Sequence, residues 1–166
     1  MELIIRKMKE EDWDSVADIY MEGIKTKKAT FQAEIPRYED WDKGHLNIRR
    51  FVATNSNNRI IGWIALSPTS SRCVYKGVAE VSIYISESCR RNNVGYELMN
   101  RVIEETEKEN IWTLQSGIFS INEPSIKLHE KCGFRVVGIR EKIGCDVDGI
   151  WHDTILMERR SKIVGI

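Results

Sequence analysis

Val78-Ala79-Glu80-Val81-Ser82-Ile83-Tyr84-Ile85 runs into the polar segment Ser86-Glu87-Ser88-Cys89-Arg90-Arg91-Asn92-Asn93, and then into Val94-Gly95-Tyr96-Glu97-Leu98-Met99. The first eight residues are rich in β-branched and aromatic side chains, which predicts a strand over 78–85. In an extended chain Val78, Glu80, Ser82 and Tyr84 share one face, and Ala79, Val81, Ile83 and Ile85 the other. After the loop, Val94, Leu98 and Val102, with Met99 and Ile103, recur at i, i+4 and predict an amphipathic helix from Val94 to Lys108. Trp112 to Phe119 reads as the next strand. Strand, helix, strand is a βαβ-type unit, so the two strands are expected to run parallel.

Upstream, Leu3 to Met8 reads as a first strand. Glu11 to Ile24 places Trp13, Val16, Ala17, Ile19, Tyr20 and Ile24 on one helix face. A second helix is expected over Tyr38 to Arg50. Phe51 to Thr54 and Arg59 to Ser67 form a hairpin around Asn55-Ser56-Asn57-Asn58. Downstream, Asn122-Glu123-Pro124-Ser125 opens a helix by a polar cap with Pro in the first turn, and Gly133 ends it. Two strands close the chain, Arg135 to Lys142 and Trp151 to Glu158, with Gly144 and Gly149 in the turn between them. The fold class is therefore α/β: one domain over 1–166, a mixed sheet with helices on both faces.

The 166 residues carry 25 Lys+Arg and 25 Asp+Glu. With a net charge of zero, no global field draws the chain to nucleic acid or to an anionic membrane. The N-terminal apolar run Leu3-Ile4-Ile5 is too short for a signal-peptide core or a span. The four cysteines lack a C-x-x-C pair and read as reduced thiols of a cytoplasmic protein. His129, Cys132, Cys145 and His152 are ligand types that suit zinc, but their order matches no common zinc module, so no metal is expected.

The loop between strand and helix invites an anion. A helix N-terminus presents unpaired N–H groups and partial positive charge. Arg90 and Arg91 stand beside it, Asn92 and Asn93 tolerate left-handed backbone, and Gly95 permits close approach of a ligand. A pyrophosphate suits such a cradle. The spacing alone is equally that of a solvated basic loop capping a surface helix.

The chain resembles the GCN5-related N-acetyltransferases, and within them the phosphinothricin acetyltransferase-like branch. The family's acetyl-CoA loop, Arg/Gln-x-x-Gly-x-Gly/Ala, is matched by Arg90 to Gly95, with Asn93 in place of the middle Gly and Arg91 where the branch has Gly. Ala29-Thr30-Phe31 with Glu34, Pro36 and Trp41, the strand at Ala79-Glu80, the helix from Asn122 to Phe134 and the closing Gly149-Ile150-Trp151-His152-Asp153 resemble further segments of that branch. Thr69-Ser70 depart from it, standing where the branch often has Trp and Lys.

The resemblance implies a mostly antiparallel GNAT fold, acetyl-CoA as cosubstrate and a small amine as acceptor. It also implies a homodimer. Glu80 would be the general base, acting through a water. His129 would protonate the leaving thiolate, and His152 would orient substrate or assist proton removal. A backbone N–H near Tyr84 or Ile85 would stabilise the oxyanion. Acetyl-CoA would lie on Ile83, Tyr84 and Ile85, on Arg90, Arg91, Asn92, Asn93, Val94, Gly95 and Tyr96, and on Asn122 and Ser125. Phe31, Arg72 and Tyr75 would line the acceptor pocket, with Arg72 pairing a carboxylate or phosphinate. Pattern alone favours Glu80 as an ordinary solvent-facing carboxylate, and only the resemblance makes it the base; Asn122 and Ser125 equally cap a helix. Two other functions stay open: an acetyltransferase for a protein N-terminus or an aminoglycoside, and a non-catalytic CoA-binding module.

Overall fold

A computed structural model describes residues 2–166. Among these, seven strands and four α-helices follow in the order β1 (Ile4–Lys7), α1 (Trp13–Lys25), α2 (Tyr38–Gly44), β2 (Phe51–Thr54), β3 (Ile60–Pro68), β4 (Val78–Ile85), α3 (Val94–Glu107), β5 (Thr113–Phe119), α4 (Glu123–Lys131), β6 (Arg135–Cys145) and β7 (Trp151–Arg160). The strands form one sheet in the order β1-β2-β3-β4-β5-β7-β6. Only β4 and β5 are parallel neighbours; the other pairs are antiparallel. The parallel pair is the one that the strand–helix–strand pattern demands.

Side-chain alternation divides the core between the two faces. On one, α3 presents Val94, Leu98, Met99, Val102 and Ile103 to Phe51, Ile64, Leu66, Ala79, Val81 and Leu114. Leu128, Cys132 and Phe134, from α4 and its end, join the same cluster. On the other face, Val16 and Ile19 of α1 meet Trp41, Val52, Trp63 and Ala65. Trp63 stacks on Tyr84 at 4.9 Å between ring centroids, with Tyr20 at 5.6 Å and Trp41 at 5.7 Å. Successive residues of β2 and β3 thus serve opposite cores, as a two-sided sheet requires.

Two local expectations are corrected. The second helix stops at Gly44, not Arg50. The Arg50 side chain folds back to donate to the carbonyls of Asp42 (2.9 Å), His45 (2.8 Å) and Leu46 (2.7 Å), closing the helix end. Leu46 N is taken by Leu66 O at 2.7 Å. Gly144 lies within β6, opposite His152, rather than in the turn. A Cβ there would sit 2.6 Å from the Phe31 ring, so the missing side chain lets that ring lie against the strand. The turn is Asp146 to Ile150, with Gly149 at φ +80°.

Candidate functional site

The parallel strands part company early. β4 and β5 are in register only at Val78–Thr113, Ala79–Leu114 and Glu80–Gln115. Beyond that point β4 continues paired with β3 as far as Ile85, and β5 paired with β7 as far as Phe119. A wedge-shaped gap opens between them. Ser86 N donates to Ile61 O on β3 at 2.9 Å. Antiparallel pairs alternate, so Tyr84 N–H also faces β3, while the N–H groups of Ile83 and Ile85 face the gap. Of the two amides named from sequence for the oxyanion, geometry turns Ile85 toward the gap and Tyr84 away from it.

A groove of about 720 Å³ leads into the gap, bounded by the ends of α1 and β4 and the N-termini of α3 and α4. Eleven of the twelve residues expected to hold acetyl-CoA line it: Ile83, Tyr84, Ile85, Arg90, Arg91, Asn93, Val94, Gly95, Tyr96, Asn122 and Ser125. The twelfth, Asn92, turns its amide back to the carbonyls of Cys89 and Arg90, both at 3.3 Å. Arg91 and Asn93, the two departures from the family's glycines, have φ of +64° and +60°. The loop keeps the left-handed geometry that glycine serves elsewhere, with Asn93 as the N-cap of α3.

Among the described residues, none of the backbone amides from Arg91 to Tyr96 donates to a protein acceptor. Six consecutive unpaired N–H groups at a helix start form a nest for an oxyanion. Gly95 lines the groove, and its missing Cβ makes room for Leu128 of α4, which would stand 2.9 Å away. Lys28, Lys127 and Lys131 also line the groove and were missed from sequence. Lys127 and Lys131 are i, i+4 on α4, a spacing that could have found them; Lys28 arrives from a distant loop. Lys131 Nζ lies 3.4 Å from Asn93 Oδ1 and 4.4 Å from the Tyr96 ring centroid, tying α4 to the start of α3. Five cations and six amides around one groove fit the diphosphate and phosphate charge of a CoA thioester.

The remaining candidates lie off this groove. Glu80 is exposed on the face of the sheet that it shares with Tyr84, and its Oε2 accepts from Gln115 Nε2 at 3.3 Å. His129 was expected to meet the leaving thiolate, but it is only 2% exposed. Its Nδ1 donates to Ser125 O at 2.7 Å, so Nε2 accepts from Ser116 Oγ at 2.9 Å. Burial holds its pKa below the ordinary imidazole value. With both ring nitrogens engaged, His129 ties α4 to β5, and the groove meets Ser125 in its place.

His152 is buried beside Phe119, ring to ring at 4.5 Å, and its Nε2 meets Asp146 Oδ2 at 2.7 Å. That contact, with backbone N–H groups, keeps Asp146 below the usual carboxylate range, the hydrogen bond to His152 contributing most. Phe31 packs on Phe119 at 4.5 Å and on His152 at 5.9 Å. Arg72 and Tyr75 are exposed in the β3–β4 connection, the guanidinium 5.5 Å from the Tyr75 ring centroid. Burial raises the Tyr84 phenol well above its ordinary value, so it stays protonated. Among the described residues no group of three or more His, Cys, Asp or Glu side chains could hold a metal ion, and no helix is long and apolar enough to cross a membrane. Burial pushes the Cys132 thiol up to about 11.

Comparison with known proteins agrees with this architecture. A family model described as "Acetyltransferase (GNAT) family" matches residues 13–134. The chain is 33% identical over 161 residues to the Bacillus subtilis (strain 168) protein YwnH, named as a candidate phosphinothricin acetyltransferase, covering 95% of this chain and 98% of that one. It is 26% identical over 157 residues to phosphinothricin N-acetyltransferase of Streptomyces coelicolor, covering 90% and 92%. The crystal structure of a Sinorhizobium meliloti phosphinothricin acetyltransferase in complex with AcCoA superposes with a TM-score of 0.87 at 24% identity, covering 99% of this chain and 91% of that one.

Proposed function

The chain belongs to the GNAT family of acetyltransferases, and from that premise we propose that it acetylates the primary amine of a small amino-acid-like acceptor of the phosphinothricin or methionine sulfoximine type. One observation carries the reading: six unpaired amides, Arg91 to Tyr96, open onto a cationic groove that leads to the gap between β4 and β5. Acetyl-CoA supplies the activated acetyl group as a thioester. The amides of 91–96 with Arg90, Arg91, Lys127 and Lys131 hold its phosphates. Asn122 and Ser125 hold the pantetheine arm, and Tyr84 walls it.

Glu80 accepts, through a water, the proton of the acceptor ammonium, since only the free amine has a lone pair. The Ile85 N–H points where negative charge develops on the carbonyl oxygen. The amine attacks directly, with no acyl-enzyme. Ser125 Oγ faces the departing thiolate, and His129 fixes Ser125 from behind. Phe31 walls the acceptor, Arg72 and Tyr75 take its anionic group, and His152 orients it.

The reading extends to a homodimer. It is supported by the apolar side chains exposed along β6 and its hairpin, among them Ile139 (67%), Val147 (67%) and Trp151 (60%). The deciding assay incubates the protein with acetyl-CoA and a panel of primary amines and records free thiol. Release with amino-acid-like amines is expected. Release only with peptide N-termini or aminoglycosides, or with none of the panel, overturns the proposal.

A further inference from the structure

β5 is an interior strand, yet Gly117 at its middle is exposed, and a Cβ built there would meet nothing within 4 Å. Its neighbours show which face it opens on. Leu114 and Ile118 belong to the α3 core, and Ser116 is bonded to His129 beneath α4. Gln115, Gly117 and Phe119 therefore face the other way, the side on which Tyr84 joins the α1 core. The opening lies beside the gap, two residues past the last β4–β5 register at Glu80–Gln115.

The two ends of this opening differ chemically. At one, Gln115 holds the Glu80 carboxylate at 3.3 Å. At the other stand the Phe119 ring and the Phe31 ring, 4.5 Å apart. From Gln115 to Phe119 the strand rises about 13 Å, which after the bulk of both side chains leaves room for a molecule the size of an amino acid. A cationic amine suits the Glu80 end, and an apolar chain suits the aromatic end.

Resting on the acetyltransferase reading above, we infer that Gly117 is the floor of the acceptor site and sets its size limit: the acceptor lies across this glycine, ammonium toward Glu80 and side chain toward Phe31 and Phe119. A side chain at 117 occupies acceptor space while touching no part of the acetyl-CoA groove, whose lining does not include this residue.

The test compares Gly117→Ala and Gly117→Val with the unaltered protein. Neither side chain has a neighbour to clash with at its Cβ, and both suit a strand better than glycine, so both variants should fold, with melting temperatures at or above the original. Thiol release is measured against acceptors of graded size, and acetyl-CoA affinity separately by ligand-induced thermal shift. The acceptor KM should rise about tenfold or more for Val and less for Ala, with the larger acceptors affected most and the acetyl-CoA shift unchanged. Folded variants with an unaltered acceptor KM, or with acetyl-CoA affinity lost in parallel, overturn the assignment of Gly117 while leaving the acetyltransferase reading standing. An original protein that binds acetyl-CoA but releases thiol with no amine overturns both.

Discussion

At the scale of single residues, Glu80 and His129 are opposite cases. The period-2 alternation of Val78 to Ile85 told which face Glu80 occupies, and the sheet keeps it there, exposed and hydrogen-bonded to Gln115. Glu80→Gln should lower kcat by about 10² to 10⁴ while the acetyl-CoA thermal shift persists; a kcat within a few-fold of the original would remove Glu80 from the chemistry. His129 was not legible in the same way. Its burial depends on Ser116, thirteen residues earlier on another strand, and no local pattern announces that bond. The buried ring has a consequence for stability. Its folded pKa is lowered by burial, while the unfolded chain takes up a proton near the ordinary value of about 6.5. The unfolded state therefore binds more protons below that pH, and stability is lost as pH falls below about 6.5. His45, also lowered chiefly by burial, adds to the same slope. Melting curves from pH 8 to pH 5 should fall toward acid, and His129→Gln should flatten part of that fall. An unchanged slope would contradict a neutral, buried His129.

Among elements, the loop ahead of α3 explains the departures from the family's glycines. Arg91 and Asn93 both take the left-handed backbone, a conformation that asparagine tolerates better than most residues with a side chain. Asn93→Gly should leave stability nearly unchanged, whereas Asn93→Ala should cost about 1 kcal/mol or more, read from chemical denaturation. Equal effects of the two would mean that the left-handed geometry matters little. Strands, the two helices flanking the groove and the parallel pair were legible because periodicity and caps are local. The end of α2 was not. It is set by Arg50 reaching back to three carbonyls, a side-chain cap that helical periodicity over 38–50 conceals. The extension of β6 through Gly144 was hidden as well, because the reason for that glycine is Phe31, more than a hundred residues away.

For the whole molecule, zero net charge excluded a global field but concealed a local one. Five cations converge on the groove from three separate segments, a concentration that only the folded chain reveals. Because part of the attraction for the phosphates is Coulombic and open to solvent, raising ionic strength from about 0.05 to 0.5 M should raise the acetyl-CoA KM several-fold, while a change of less than twofold would argue against the cations. The folded chain exposes 9782 Å², against roughly 8,500 Å² expected of a monomer of this mass. The excess agrees with the open groove, the uncovered Gly117 face and the bare β6 edge. The central claim is that main-chain N–H groups 91–96 grip the diphosphate, and amide hydrogen exchange reads those groups one by one. Left unpaired, they should exchange fast in the free protein and slow at least tenfold when acetyl-CoA saturates it. Saturation with no change in exchange across Arg91 to Tyr96 would contradict the account.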